Sequence, residues 1–181
     1  MNIKQMKDKI YTLLGEAPFE DEGAILNAID SAARKVALYT KCLKRSTEIC
    51  FEGGSAELPH DFAAFGYIKR GTRVYGRERF EIISKKIKSA DTCGACELVY
   101  YAYPEAVGKD SDDMQTVFGD DYACDTAVYG AAMELCISIC PSDVQRYMRI
   151  ATEYDERMAN MLGGTGARVA NSFFCGRGML I

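Results

Sequence analysis

The chain is short of the residues that catalysis and nucleic-acid binding draw on most. His60 is the sole histidine among 181 residues, so a Ser-His-Asp or Cys-His arrangement would have to use it. It stands between Pro59 and Asp61, a context that predicts an exposed turn rather than a general base. Basic excess is lacking too. Twenty-two Lys and Arg meet 26 Asp and Glu, for a net charge of −4 and a pI near 5.1, which argues against a dedicated nucleic-acid binder. No apolar run reaches the ~18 residues a membrane helix requires, because charges or glycines interrupt each one. A Walker loop is missing, and Gly163-Gly164-Thr165-Gly166 follows a helical stretch instead of opening one, the wrong context for a phosphate cradle. Asp110, Asp112 and Asp113 lack the glycine and closing glutamate of a calcium loop. Nothing in this inventory points to an active site.

Cysteine, by contrast, is plentiful: there are eight. The opening Met1-Asn2-Ile3-Lys4-Gln5 is not a secretory signal, so reduced thiols in a cytosol are the expectation. The sharpest chemical motif is Cys93-Gly94-Ala95-Cys96, since C-x-x-C serves as half a zinc site or as a redox couple. Cys136 and Cys140 could supply the other half, but they sit in an apolar helical stretch where free cysteine behaves as a small hydrophobe. The expectation is no metal and no cofactor, with a zinc- or thiol-dependent small protein as the alternative. A second alternative is a nucleic-acid-binding module, with Tyr100, Tyr101 and Tyr103 as a stacking platform.

Charge is unevenly spread. Between Lys69 and Lys88, eight basic residues face two acids, a net +6; Lys69, Arg70, Arg73, Arg77 and Arg79 lead the run. Between Glu105 and Asp125, seven acids face one lysine, a net −6, with Asp110, Asp112, Asp113, Asp120 and Asp121 at its centre. One patch could meet its opposite on a neighbouring copy, a head-to-tail contact that closes into a ring when the rotation permits. These ten residues are the candidate ring interface; the other reading is two independently solvated faces.

Apolar spacing predicts helices over 3–15, 22–41, 120–140 and 142–162. Gly15 and Pro18 close the first, and Ser142 with Gln145 has the spacing of a capping box for the last. The third is apolar almost all round, broken by the column Thr126, Gly130, Glu134 and Ser138, and should lie at the centre of a bundle. Period-two alternation through Thr47, Ile49 and Phe51 opens a β-module over 44–104. Its further strands are placed at 67–69, 72–75, 80–83, 86–88 and 97–103, with turns at Gly66, Gly71, Gly76 and 91–94. The expected fold is therefore α+β, mainly α: a single domain over 1–163, built as a helical bundle with an inserted small antiparallel β-module. Residues 164–181 form an extended or disordered C-terminal arm whose glycines loosen it and whose Phe173, Phe174, Leu180 and Ile181 are apolar anchors.

Four segments carry a family likeness: Glu57-Leu58-Pro59-His60-Asp61-Phe62, Tyr67-Ile68-Lys69-Arg70-Gly71 running into Thr72-Arg73-Val74-Tyr75, Leu98-Val99-Tyr100-Tyr101-Ala102-Tyr103-Pro104, and Phe118-Gly119-Asp120-Asp121-Tyr122. In these and in the order of its elements, the chain resembles the head-to-tail connector (adaptor) proteins of tailed bacteriophages. Phe118-Gly119 stands where that family often has a proline, and the cysteine content is unlike it. The resemblance implies a virion structural protein, not an enzyme, made in the bacterial host cytoplasm. It would form a homo-oligomeric ring under the portal protein, link the capsid to a tail or head-completion protein, and surround DNA without sequence-specific binding or membrane contact. It also implies portal docking through the C-terminal segment, here Arg168, Phe173, Phe174, Leu180 and Ile181.

Overall fold

The structure is a computed structural model and describes residues 1–15, 21–90 and 92–163. Four helices, α1 (Ile3–Leu14), α2 (Glu22–Thr40), α3 (Asp121–Ile139) and α4 (Val144–Met161), make a helical body. Seven strands lie between α2 and α3: β1 (Lys44–Phe51), β2 (Ser55–Glu57), β3 (Phe62–Arg70), β4 (Arg73–Tyr75), β5 (Glu81–Ile83), β6 (Lys86–Lys88) and β7 (Gly94–Ala102).

The expected helical bundle with a small β-module is corrected by these strands. They form two antiparallel sheets, ordered β1-β7-β3-β4 and β2-β6-β5. Helix takes 45% and strand 26% of the described residues, and a strand share at the top of the ordinary range makes this an α+β fold rather than mainly α. The extra strand comes from three places. β3 begins five residues before the expected 67, because Phe62, Ala63, Ala64, Phe65 and Gly66 are all half-buried and show no alternation. Gly66 is no turn: it lies inside β3 at a register shift, where an added Cβ would stand 2.6 Å from the Val99 carbonyl oxygen. β2 and the first residues of β7 also lie outside the expected strands.

The two sheets face each other across a core of Ile49, Phe51, Ala56, Ile68, Ile87 and Leu98, closed by the rings of Phe80 and Tyr100. Phe80 lies 6.0 Å from Phe51 and 5.7 Å from Phe65, centroid to centroid. The helical body has its own core, and α3 packs against α1, α2 and α4 as its apolar circumference predicts. In the i, i+4 column, Thr126 and Gly130 are buried, while Glu134 reaches solvent and receives Ser31 and Lys35 of α2.

Helix ends follow local chemistry. Asn2 and Gln5 form a capping box on α1, and Gly15 closes it at φ +82°. Asp21 caps α2 through the Ala24 N–H. On α4 the cap is Asp143, which accepts from the Arg146 N–H at 2.9 Å, not the expected Ser142.

Leu43 packs against both cores. The chain's return to the body is fixed by Asp30: its Oδ1 accepts from the Val107 N–H at 2.9 Å and its Oδ2 from Arg34 Nε at 2.7 Å. Arg34 in turn lies over the Tyr103 ring, 5.4 Å from its centroid.

Candidate interaction surfaces

The basic run divides between tied and free side chains. Arg70 and Arg73 are cross-strand partners flanking the two-residue turn of the β3–β4 hairpin, where Gly71 takes φ +58°. Both are exposed and neither has an ion-pair partner among the described residues. Val74, beside them, is 61% exposed. Lys69 sits 3.9 Å from Glu97, a loose pair. Arg77 donates to the Phe80 carbonyl, and Arg79 lies over the Tyr75 ring, so these two brace the chain between β4 and β5.

The acidic run is divided more sharply. Asp113 is held by Lys7 at 2.6 Å, and the same ammonium holds Glu22 at 2.8 Å. These hydrogen bonds, Asp113 first, push the Lys7 pKa above its ordinary value against the opposing effect of burial. Asp120 caps α3 through the Tyr122 N–H, Asp121 pairs with the Met1 amino group, and Asp112 accepts from the Met114 N–H. Asp125 pairs with Lys9 at 2.6 Å and with Arg157 at 3.7 Å. Much of the −6 segment thus stitches α1, α2, α3 and α4 together. Glu105 and Asp110 are exposed without an ion pair among the described residues.

The thiols are kept apart. Cys96 lies on the inner face of β7 opposite Ile49, where burial pushes its thiol pKa up, while Cys93 is exposed. Cys136 is buried in the other core, so the two cysteine pairs are not brought together. Among the described residues, no group of three or more His, Cys, Asp or Glu side chains could hold a metal ion. His60 is exposed.

Of the three tyrosines, Tyr100 points into the sandwich: it stacks on Phe62 at 5.9 Å and its hydroxyl donates to Asp61 Oδ1 at 2.9 Å. Burial first, and then the Asp61 carboxylate, push its pKa up. Tyr101 and Tyr103 are half-buried under Lys41 and Arg34. The Arg45–Asp61–Tyr100 chain has no counterpart in the sequence pattern. Only the β3–β7 register brings Asp61 beside Tyr100, and residue spacing carries no sign of it.

Exposed apolar side chains cluster by element on α4, where Val144 and Met148, one turn apart, are 63% and 55% exposed. No helix is long and apolar enough to cross a membrane among the described residues. The docking candidates Arg168, Phe173, Phe174, Leu180 and Ile181 lie outside the described residues. Comparison with protein-family models and with curated proteins gives no match.

Proposed function

We propose that this chain is a head-to-tail connector of a tailed bacteriophage, a virion structural protein that forms a ring beneath the portal and joins capsid to tail. The observation that carries the reading is the order of elements: a helix pair, a β-insertion that returns to the same helical body, a second helix pair, and then the segment 164–181. That order, at the residues where the four family-like segments stand, agrees with the plan that the resemblance to the connector family implies, and so supports the reading. The exposed arginines of the β3–β4 hairpin, unpaired among the described residues, and the exposed Val144 and Met148 support it, because an assembly subunit needs surfaces its own fold does not consume. The ring contact narrows accordingly to Arg70 and Arg73 on one copy and Glu105 and Asp110 on the next, since Asp113, Asp120 and Asp121 serve the subunit itself.

The test is a pull-down and electron microscopy with the portal protein of the genome that encodes this chain, and a genome without a portal gene would count against the reading. Full-length chain should decorate portal rings stoichiometrically. A chain ending at Gly163 should unfold at the same temperature yet fail to bind, because the apolar anchors of the arm are gone. Full binding by the shortened chain would refute the docking role, and no binding by either chain would refute the connector reading.

A further inference from the structure

Among the described residues, β1 is the longest open edge of either sheet: it ends the order β1-β7-β3-β4 and pairs only with β7 along its eight residues, and β2 approaches it at its C-terminal end, where Glu52 bridges to Ser55. Which of its backbone groups face outward can be worked out. The Leu43 carbonyl accepts from the Ala102 N–H at 2.8 Å, so odd-numbered residues are spent on β7. Glu52 exchanges both backbone bonds with Ser55 on the opposite side, so even-numbered residues face away. The amides and carbonyls of Lys44, Ser46, Glu48 and Cys50 therefore point to the open edge, and all four side chains are exposed on the sheet's outer face. Lys44 is kept on that face by the Tyr67 ring, 5.4 Å from its centroid.

We infer that this edge is a two-fold pairing surface for a second copy of the chain, in the antiparallel register that sets Ser46 against Ser46. Edge strands are ordinarily guarded by charge, and a guard of one sign would repel a second copy. Here the two signs are four residues apart on one face, so that register places Lys44 opposite the second copy's Glu48, twice over. It also places Leu43 opposite Ile49 on the inner face and matches outward-facing residues with outward-facing residues. The neighbouring two-fold registers, centred on Arg45 and Thr47, lose both ion pairs; centring on Lys44 sets two lysines face to face, and centring on Glu48 sets two glutamates face to face and calls on Glu52, whose backbone is already bonded to Ser55. Space is available as well. An open groove of about 490 Å³ runs beside β1, lined by Glu48, Ile49, Cys50, Ala56, Glu57 and Lys86, where the second copy's residues 42–44 would lie. The contact closes on a pair, so it is distinct from a head-to-tail ring contact and stands without the connector reading.

Sedimentation of the full chain tests it, with a concentration-dependent dimer expected. Glu48→Lys should weaken self-association about tenfold, since it sets like charges opposite each other, and Lys44→Glu with Glu48→Lys should restore it. Ser46→Pro should give a monomer with unchanged unfolding, because the N–H it removes faces outward. With Cys42, Cys50, Cys93 and Cys175 replaced by serine, a Ser46→Cys chain should cross-link to itself on mild oxidation, and a Val74→Cys chain should not. A wild-type chain that sediments as a monomer at every concentration overturns the inference. So does association that Glu48→Lys and Ser46→Pro leave untouched. Portal binding is a separate readout, so loss of one with the other intact separates the two readings.

Discussion

The two cores solve the packing problem in opposite ways. The helical body brings backbones close. α2 and α3 pack on each other, and their buried residues include Ala28, Ala32, Ala33, Ala127, Ala131 and Ala132; Gly130 leaves so little room that an added Cβ would lie 3.2 Å from Ala32 Cβ and 2.9 Å from the Tyr154 ring. The sandwich holds its sheets apart and fills the gap with rings: Phe51, Phe62, Phe65, Phe80 and Tyr100. A core built on small residues has no slack for growth. A core built on a few large ones loses most when one is cut down.

Truncation in the sandwich should give the largest effect. Phe80 is 6% exposed and touches two other rings, so Phe80→Ala should cost about 3–5 kcal/mol, read as a lowered urea midpoint. Phe80→Leu, which keeps most of the volume, should cost far less. Because Leu43 serves both cores, a Phe80→Ala midpoint lowered as fully by helical circular dichroism would mean that the body fails with the module. Enlargement in the body comes second. Gly130→Leu should cost about 1–3 kcal/mol by forcing the helices apart, whereas Gly130→Ala sets a helix-propensity gain of roughly 1 kcal/mol against the clash with Tyr154. A neutral Gly130→Leu would break the contrast between the cores.

How much of this is readable from the residues alone follows the same division. The four helices lie within two residues of their predicted limits, because period 3.6, Gly15 and the aspartates at 21, 120 and 143 are local signals. β1 is readable because Ile49 and Phe51 alternate with exposed neighbours. The first half of β3 is not, since Phe62, Ala63, Ala64, Phe65 and Gly66 are all half-buried and leave no alternation. The candidate interaction surface is legible as two charge runs, but which charges are tied within the fold is not. Lys7 with Asp113, and Arg157 with Asp125, are contacts between distant segments that only the packed fold creates. The same holds for the parity of the β1 edge, which depends on its register with β7.

The smallest expected effect concerns a single proton. Tyr154 packs against Gly130 between α3 and α4, and burial, with a lesser contribution from the neighbouring Asp155 charge, pushes its pKa from 10.0 up to about 12. The sandwich holds Tyr100 back as well, by burial and by the Asp61 hydrogen bond, but less far. The raised folded-state value means that the neutral phenol favours the native state. That contribution is complete below pH 10 and disappears as the pH climbs from 10 toward 12. Alkaline titration followed by tyrosinate absorbance should therefore show a last step near pH 12 that shrinks by one tyrosine in Tyr154→Phe and keeps its amplitude in Tyr100→Phe. Were Tyr100→Phe to remove that last step instead, the sandwich, not the alanine-lined body, would be the drier of the two cores.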